Sequence, residues 1–268
     1  MSTNEGIDSI KKPNRQPAAM KGDQPIHNHR RAARAVGVMF ILASASAIAG
    51  LLLYQPILSG PDNLVNGFAS QSQVILGAVM EIILVLTAVG TAVGLFPFVR
   101  KYNESIALGY VLFRFLEAVL IMVGIVAALS LLTLSREFVT AAASNASAIQ
   151  ASGNALKAVK DWTFLLGPHL FLGVNTMLYS YLLYKSRLVP RWLAVWGLAG
   201  AVIITIVALF EMFGAISPAL VLPLALPIAL FEMALAVWLI TKGFNPSAIA
   251  AQTANAEFNV EKMRLPAA

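Results

Sequence analysis

The sequence predicts an all-α fold, a polytopic membrane bundle of six transmembrane helices with both termini in the cytoplasm. Three observations lead there. Apolar residues make up 58% of the 268 and charged residues only 12%, with a mean hydropathy of +0.75. Soluble domains run nearer half apolar and about a quarter charged. The apolar residues fall into six runs, each long enough at ~1.5 Å per residue to cross ~30 Å of hydrocarbon. The third observation is the placement of Lys and Arg, which crowd onto one side of those runs.

The runs are Ala35 to Leu53, Val74 to Val99, Ile106 to Thr133, Trp162 to Tyr184, Trp192 to Phe213 and Ala219 to Thr241. A closed β-barrel, the other membrane solution, would show alternating segments of ~10 residues, and these are unbroken. Of the 19 Lys and Arg residues, all but Arg114, Arg136, Lys157 and Lys160 lie in the N-terminal tail, the loops after the second and fourth runs, or the C-terminal tail. Basic loops stay cytoplasmic, which sets the orientation. The chain therefore divides into a polar basic tail over 1–33, read as disordered, a helical domain over 34–246 and a cytoplasmic tail over 247–268. The tail carries no short apolar segment with a cleavage motif and is read as retained. The formal charge of +6 is then a matter of topology and of anionic lipid headgroups, not of nucleic acid. The cell (inner) membrane is the expected location.

The loops carry little chemistry. "YQPILSGPDNLVNGFASQSQ" is punctuated by Gly, Pro and Asn as turns are. The segment from Leu134 to Asp161, rich in Ala and Ser, has room for an interfacial helix.

Four strings, "KYNESIALGYVLFRFLEAVL", "DWTFLLGP", "LLYKSRLVPRWLAVWGLAGA" and "LPIALFEMALAVWLITKGFNP", together resemble a family of bacterial multipass membrane proteins catalogued as domain of unknown function 4386. The resemblance covers about Arg31 to Pro246. It implies a bacterial membrane location and a helical bundle, and it brings no reaction, substrate or residue roles.

The candidate site comes from the residues themselves. Ionisable side chains within membrane spans are rare, face the bundle interior and find partners. Here they are Glu81 in the second run, Arg114 and Glu117 in the third, His169 in the fourth and Glu232 in the sixth, with Asn175 as an uncharged polar companion. Glu211 stands near the outer end of the fifth run, within reach of headgroups or water. At ~1.5 Å per residue, Arg114, Glu117, Glu232 and Asn175 fall in one layer, while Glu81 and His169 fall in the outer half. Arg114 and Glu117 share a helix face, but the i, i+3 spacing favours an internal pair less than a partner from another helix. Glu232 is the expected partner, with Glu117 or both as alternatives. An Arg between two Glu leaves one carboxyl in excess.

Two readings of this network stand side by side, a register-fixing cluster and a site that binds or moves something. The first makes the protein a non-catalytic structural, regulatory or partner-binding bundle. The second makes it a small transporter or permease with an ion, proton or solute site at the midplane. Pro223 and Pro227, just before Glu232, could unwind the outer half of the sixth span, as happens around transporter sites. An enzyme is the weakest reading, because no nucleophile, nucleotide or metal motif is present. The chain has no cysteine, and His27 and His29 lie in the tail, so no metal or other cofactor is expected. Gly90 and Gly94 form a GxxxG on the second run, a face for close helix packing or for contact with a second copy.

Overall fold

In lipid, every backbone N–H and C=O must be satisfied inside the segment, so apolar runs of this length fold as helices. The computed structural model describes residues 24–60, 62–140, 145–252 and 254, and every long element among them is helical. The elements are α1 (Gln24–Leu53), α2 (Gln55–Leu58), α3 (Asn63–Ala69), α4 (Gln71–Val99) and α5 (Glu104–Thr140). They continue with α6 (Ala146–Phe164), a π-helical segment (Leu165–Phe171), α7 (Leu172–Ser186), α8 (Arg191–Met212) and α9 (Pro218–Thr241). Five of them are long and apolar enough to cross a membrane: α1 from His29, α4, α5, α8 and α9 from Ala219.

The fourth expected span differs. Residues 162–184 do not form one α-helix but pass from the end of α6 through the π-helical segment into α7, with helical backbone throughout. Pro168 explains the local change, since it has no N–H to close an i→i−4 bond and its ring crowds the preceding turn. The Asn175 amide donates to the Phe171 carbonyl at 2.8 Å, which ties the end of the π-helical segment to α7.

Three further differences concern ends and loops. Residues 24–33, assigned to a disordered tail, belong to α1; residues 1–23 lie outside the described part. The "turn" segment after α1 folds into α2 and α3, which cover the far end of α5, and the Ser135 hydroxyl donates to the Leu64 carbonyl there. In the segment 134–161, residues through Thr140 belong to the last turns of α5 and residues from Ala146 to the body of α6. α9 also stays helical through Pro223 and Pro227.

Each long element packs on the next in the chain, and α9 returns to α1, so the rods close into a ring. Both ends of the described chain meet at one end of it, called here the basic end. The Tyr102 hydroxyl donates to the Ser186 carbonyl at 2.9 Å, the Asn245 N–H to the Leu188 carbonyl at 2.9 Å and the Gln252 amide to the Phe98 carbonyl at 3.4 Å. Gly90 and Gly94 are filled from within: a Cβ on either would stand 2.8 Å from the Met39 sulfur or 2.6 Å from Val36 Cγ2. The GxxxG is therefore the α1–α4 seam, and α1 occupies the groove a second copy would need.

Candidate functional site

The middle of the ring is closed toward the basic end by aromatic rings from four helices. Tyr179 of α7 lies 5.2 Å from Tyr110 of α5 and 6.1 Å from both Phe40 of α1 and Phe231 of α9, centroid to centroid. On this floor stands the first polar cluster. Arg114 Nη1 donates to Glu117 Oε2 at 3.0 Å and to Oε1 at 3.3 Å, and Arg114 Nε donates to the Ala88 carbonyl of α4 at 3.3 Å. The Asn175 amide donates to Glu117 Oε2 at 2.6 Å. Arg114 and Glu117 are each only 3% exposed, so this pair is held in protein and not snorkelled to water.

The direct partner of Arg114 is thus Glu117 on its own helix, and not Glu232 as depth suggested. The guanidinium lies along its own helix face, and its Nε end is turned toward α4. That spends its reach before α9. Glu232 faces the same space, but its Oε1 is buried without a hydrogen-bond partner.

Two more polar pairs lie toward the far end. Lys160 Nζ of α6 contacts both carboxylate oxygens of Glu81 in α4 at 2.7 Å and lies 4.7 Å from the Tyr54 ring centroid. The approach needs Gly124 of α5, where a Cβ would stand 2.8 Å from Thr163 Oγ1 and 3.3 Å from Lys160 Nζ. His169, in the π-helical segment, places Nδ1 2.9 Å from Glu211 Oε2 of α8 and meets the Phe164 ring edge-on at 4.9 Å. Asp161 is exposed beside Lys160.

All three clusters open on one cavity of about 360 Å³, enclosed by α1, α4, α5, α6, the π-helical segment and α9. Its wall is mostly apolar. The charges on it are Arg114 and Lys160 against Glu81, Glu117, Glu232 and Asp161, with His169 alongside. Of the residues singled out from the sequence, the structure sets Arg114, Glu117, Glu232, Glu81 and His169 on this one cavity, with Asn175 just behind, bonded to Glu117. A lone Arg or Lys at the centre of a span costs about 2.5–3.5 kcal/mol on insertion scales. Here each is paired, and the pairing is what lets charge sit at this depth.

Sequence reasoning missed Lys160 by placing it in a loop, and took Glu211 for a headgroup neighbour. A signal for Lys160 was present. Gly153, Lys160 and Thr163 recur at helical spacing and are the buried residues of α6, an inward face reaching past the apolar run. Among the described residues, no group of three or more His, Asp or Glu is placed to hold a metal ion.

Apolar helices closed in a ring around a charged, lipid-depth cavity define a multipass helical membrane protein. The chain belongs to the family described as Domain of unknown function (DUF4386), whose model matches residues 35–243. No curated protein and no solved structure matches it.

Proposed function

We propose that the protein is a non-catalytic bundle of the cell's inner membrane that binds a small solute in the interhelical cavity, as a transporter or permease does. The single observation behind this reading is that one cavity gathers the charged groups of α4, α5, α6 and α9. A cluster serving register alone needs no open space beside it. The satisfied pairs Arg114–Glu117 and Glu81–Lys160 are what an architectural role would also require, so the two readings part on whether the cavity holds water.

The absence of cysteine makes the test clean. Maleimides react with thiolates, and a thiolate needs water or a polar setting. Ala47→Cys and Ala229→Cys, on the cavity wall, should react with N-ethylmaleimide in intact membranes. Val237→Cys, 56% exposed on the outer face of α9, should not. Cavity thiols as inert as Val237→Cys would mean a dry interior and overturn the solute reading in favour of architecture.

In this reading the rod of α6, the π-helical segment and α7 is the sixth crossing, and the basic end faces the cytoplasm. Lys160, bound to Glu81, drops out of the far-side charge count, which leaves Arg136 and Lys157 there. A reporter active only in the cytoplasm, fused after Ala268, should be active, and Ser147→Cys should react with an impermeant thiol reagent from outside. An inactive reporter reverses the orientation or removes a crossing.

A further inference from the structure

The charges on the cavity do not balance. Glu117 is taken by Arg114 and Asn175, and Glu81 is taken by Lys160 through both oxygens. Two carboxyls remain, Asp161 exposed toward the far end and Glu232 at the floor, the latter with a buried oxygen lacking any hydrogen-bond partner. Excess negative charge in a largely apolar cavity is costly. A bound cation would offset it.

The walls say what kind of cation. Apart from the charged groups, Ser44 and Thr163, they are apolar and aromatic, with Tyr54, Phe164, Ile121 and Leu172 among them. A hydrated metal ion or a sugar would find few partners there, whereas aromatic faces and aliphatic walls suit an organic cation. A volume of about 360 Å³ lies within the range of sites for small organic ligands.

α1 and α9 frame the entrance. They touch near the basic end, where Gly37 admits α9 so closely that a Cβ would stand 2.7 Å from the Ala236 carbonyl. Farther along, Ile48 and Leu51 of α1 and Leu222 of α9 line the cavity and are 62%, 45% and 71% exposed, the exposure expected where a cavity opens sideways between two helices.

We propose that the cavity takes a lipophilic organic cation, which enters from the bilayer between α1 and α9 and places its charge beside the carboxyl of Glu232. This rests on the solute-binding reading above and adds the chemical class and the route. The probe is tetraphenylphosphonium, with tetraphenylborate as the anion of nearly equal size and shape, measured by equilibrium dialysis on the full chain in nanodiscs. Saturable phosphonium binding at least tenfold tighter than borate binding is expected. Glu232→Gln should weaken it about tenfold. Bound phosphonium should slow the maleimide reaction of Ala229→Cys, a readout that holds even if the Glu232 variant fails to fold. Leu222→Trp, at the side opening, should slow association at least threefold.

Borate binding as tight as phosphonium, or a Glu232→Gln variant that folds and binds normally, would overturn the cation assignment. Normal association in Leu222→Trp would overturn the lateral route. If the cavity thiols react with maleimide but phosphonium neither binds nor protects, this inference fails while the solute reading stands. If the thiols are inert, both fail.

Discussion

At the basic end, one continuous group of buried side chains draws on every long rod, from Phe40 and Leu95 to Leu183, Leu193 and Leu235. In the far half the buried side chains separate into two groups. One, around Tyr54, Ile125 and Leu131, joins α4 and α5 to α2 and α3. The other, around Ile204 and Ile228, joins α8 to α9, and the cavity lies between them. Lipid tails are as apolar as leucine, so helices in a membrane are held by close packing and interhelical hydrogen bonds rather than by escape from water. The basic half has packing. The far half has polar side-chain pairs instead: the Glu81–Lys160 ion pair ties α4 to α6, and the His169–Glu211 contact ties the π-helical segment to α8.

That contrast can be broken. The largest effect is expected from Arg114→Leu, which strands Glu117 at the border between the halves. Breaking a buried pair costs about 3–5 kcal/mol, to be read as a loss of melting temperature and monodisperse yield in detergent. Arg114→Leu with Glu117→Leu should recover part of the loss. No recovery would mean that Arg114 works chiefly through Glu232, and Glu232→Leu should then be the second change.

A smaller effect compares the halves directly. At Gly197 a Cβ would lie 2.4 Å from Phe231 Cζ and 2.5 Å from Ser180 Oγ, so Gly197→Leu overpacks the basic half and should cost about 1–3 kcal/mol. Ala229→Leu adds comparable bulk into the cavity and should stay within about 0.5 kcal/mol of the parent. Equal losses would erase the distinction. The smallest effect sharpens it: Lys160→Met with Glu81→Gln removes the pair without leaving a charge alone and should cost about 1 kcal/mol, the scale of polar contacts between membrane helices. Lys160→Met by itself strands Glu81 and should cost more.

The helices were legible because length and hydropathy alone decide them in a bilayer, and the buried charges stood out because each interrupts an apolar run. Partners were harder to read. Depth along a helix is a one-dimensional measure, and it set Glu232 beside Arg114 without saying that the guanidinium lies along α5 with Nε turned to Ala88. Lys160 escaped because its polar neighbours Lys157 and Asp161 made the segment read as loop. The π-helical segment left only Pro168 as a clue, and a proline near a span's end is common enough to mean nothing by itself. The cavity had no sequence signature. It is walled by side chains from α1, α4, α5, α6 and α9 together, a property no single helix carries.

The length of α5 has a consequence of its own. Its 37 residues make a rod of about 55 Å, at ~1.5 Å per residue. A helix tilted by 40°, the upper end for such spans, needs only about 40 Å to cross ~30 Å of hydrocarbon. The last turns of α5 must therefore stand clear of the oil. They are dressed for it: Leu131 and Leu132 are covered by α2 and α3, and Arg136 donates to Gln71 in the open at 3.1 Å. The molecule thus raises a stiff spur above the membrane. An antibody fragment approaching from that side would find its epitope on this spur, well clear of the lipid headgroups.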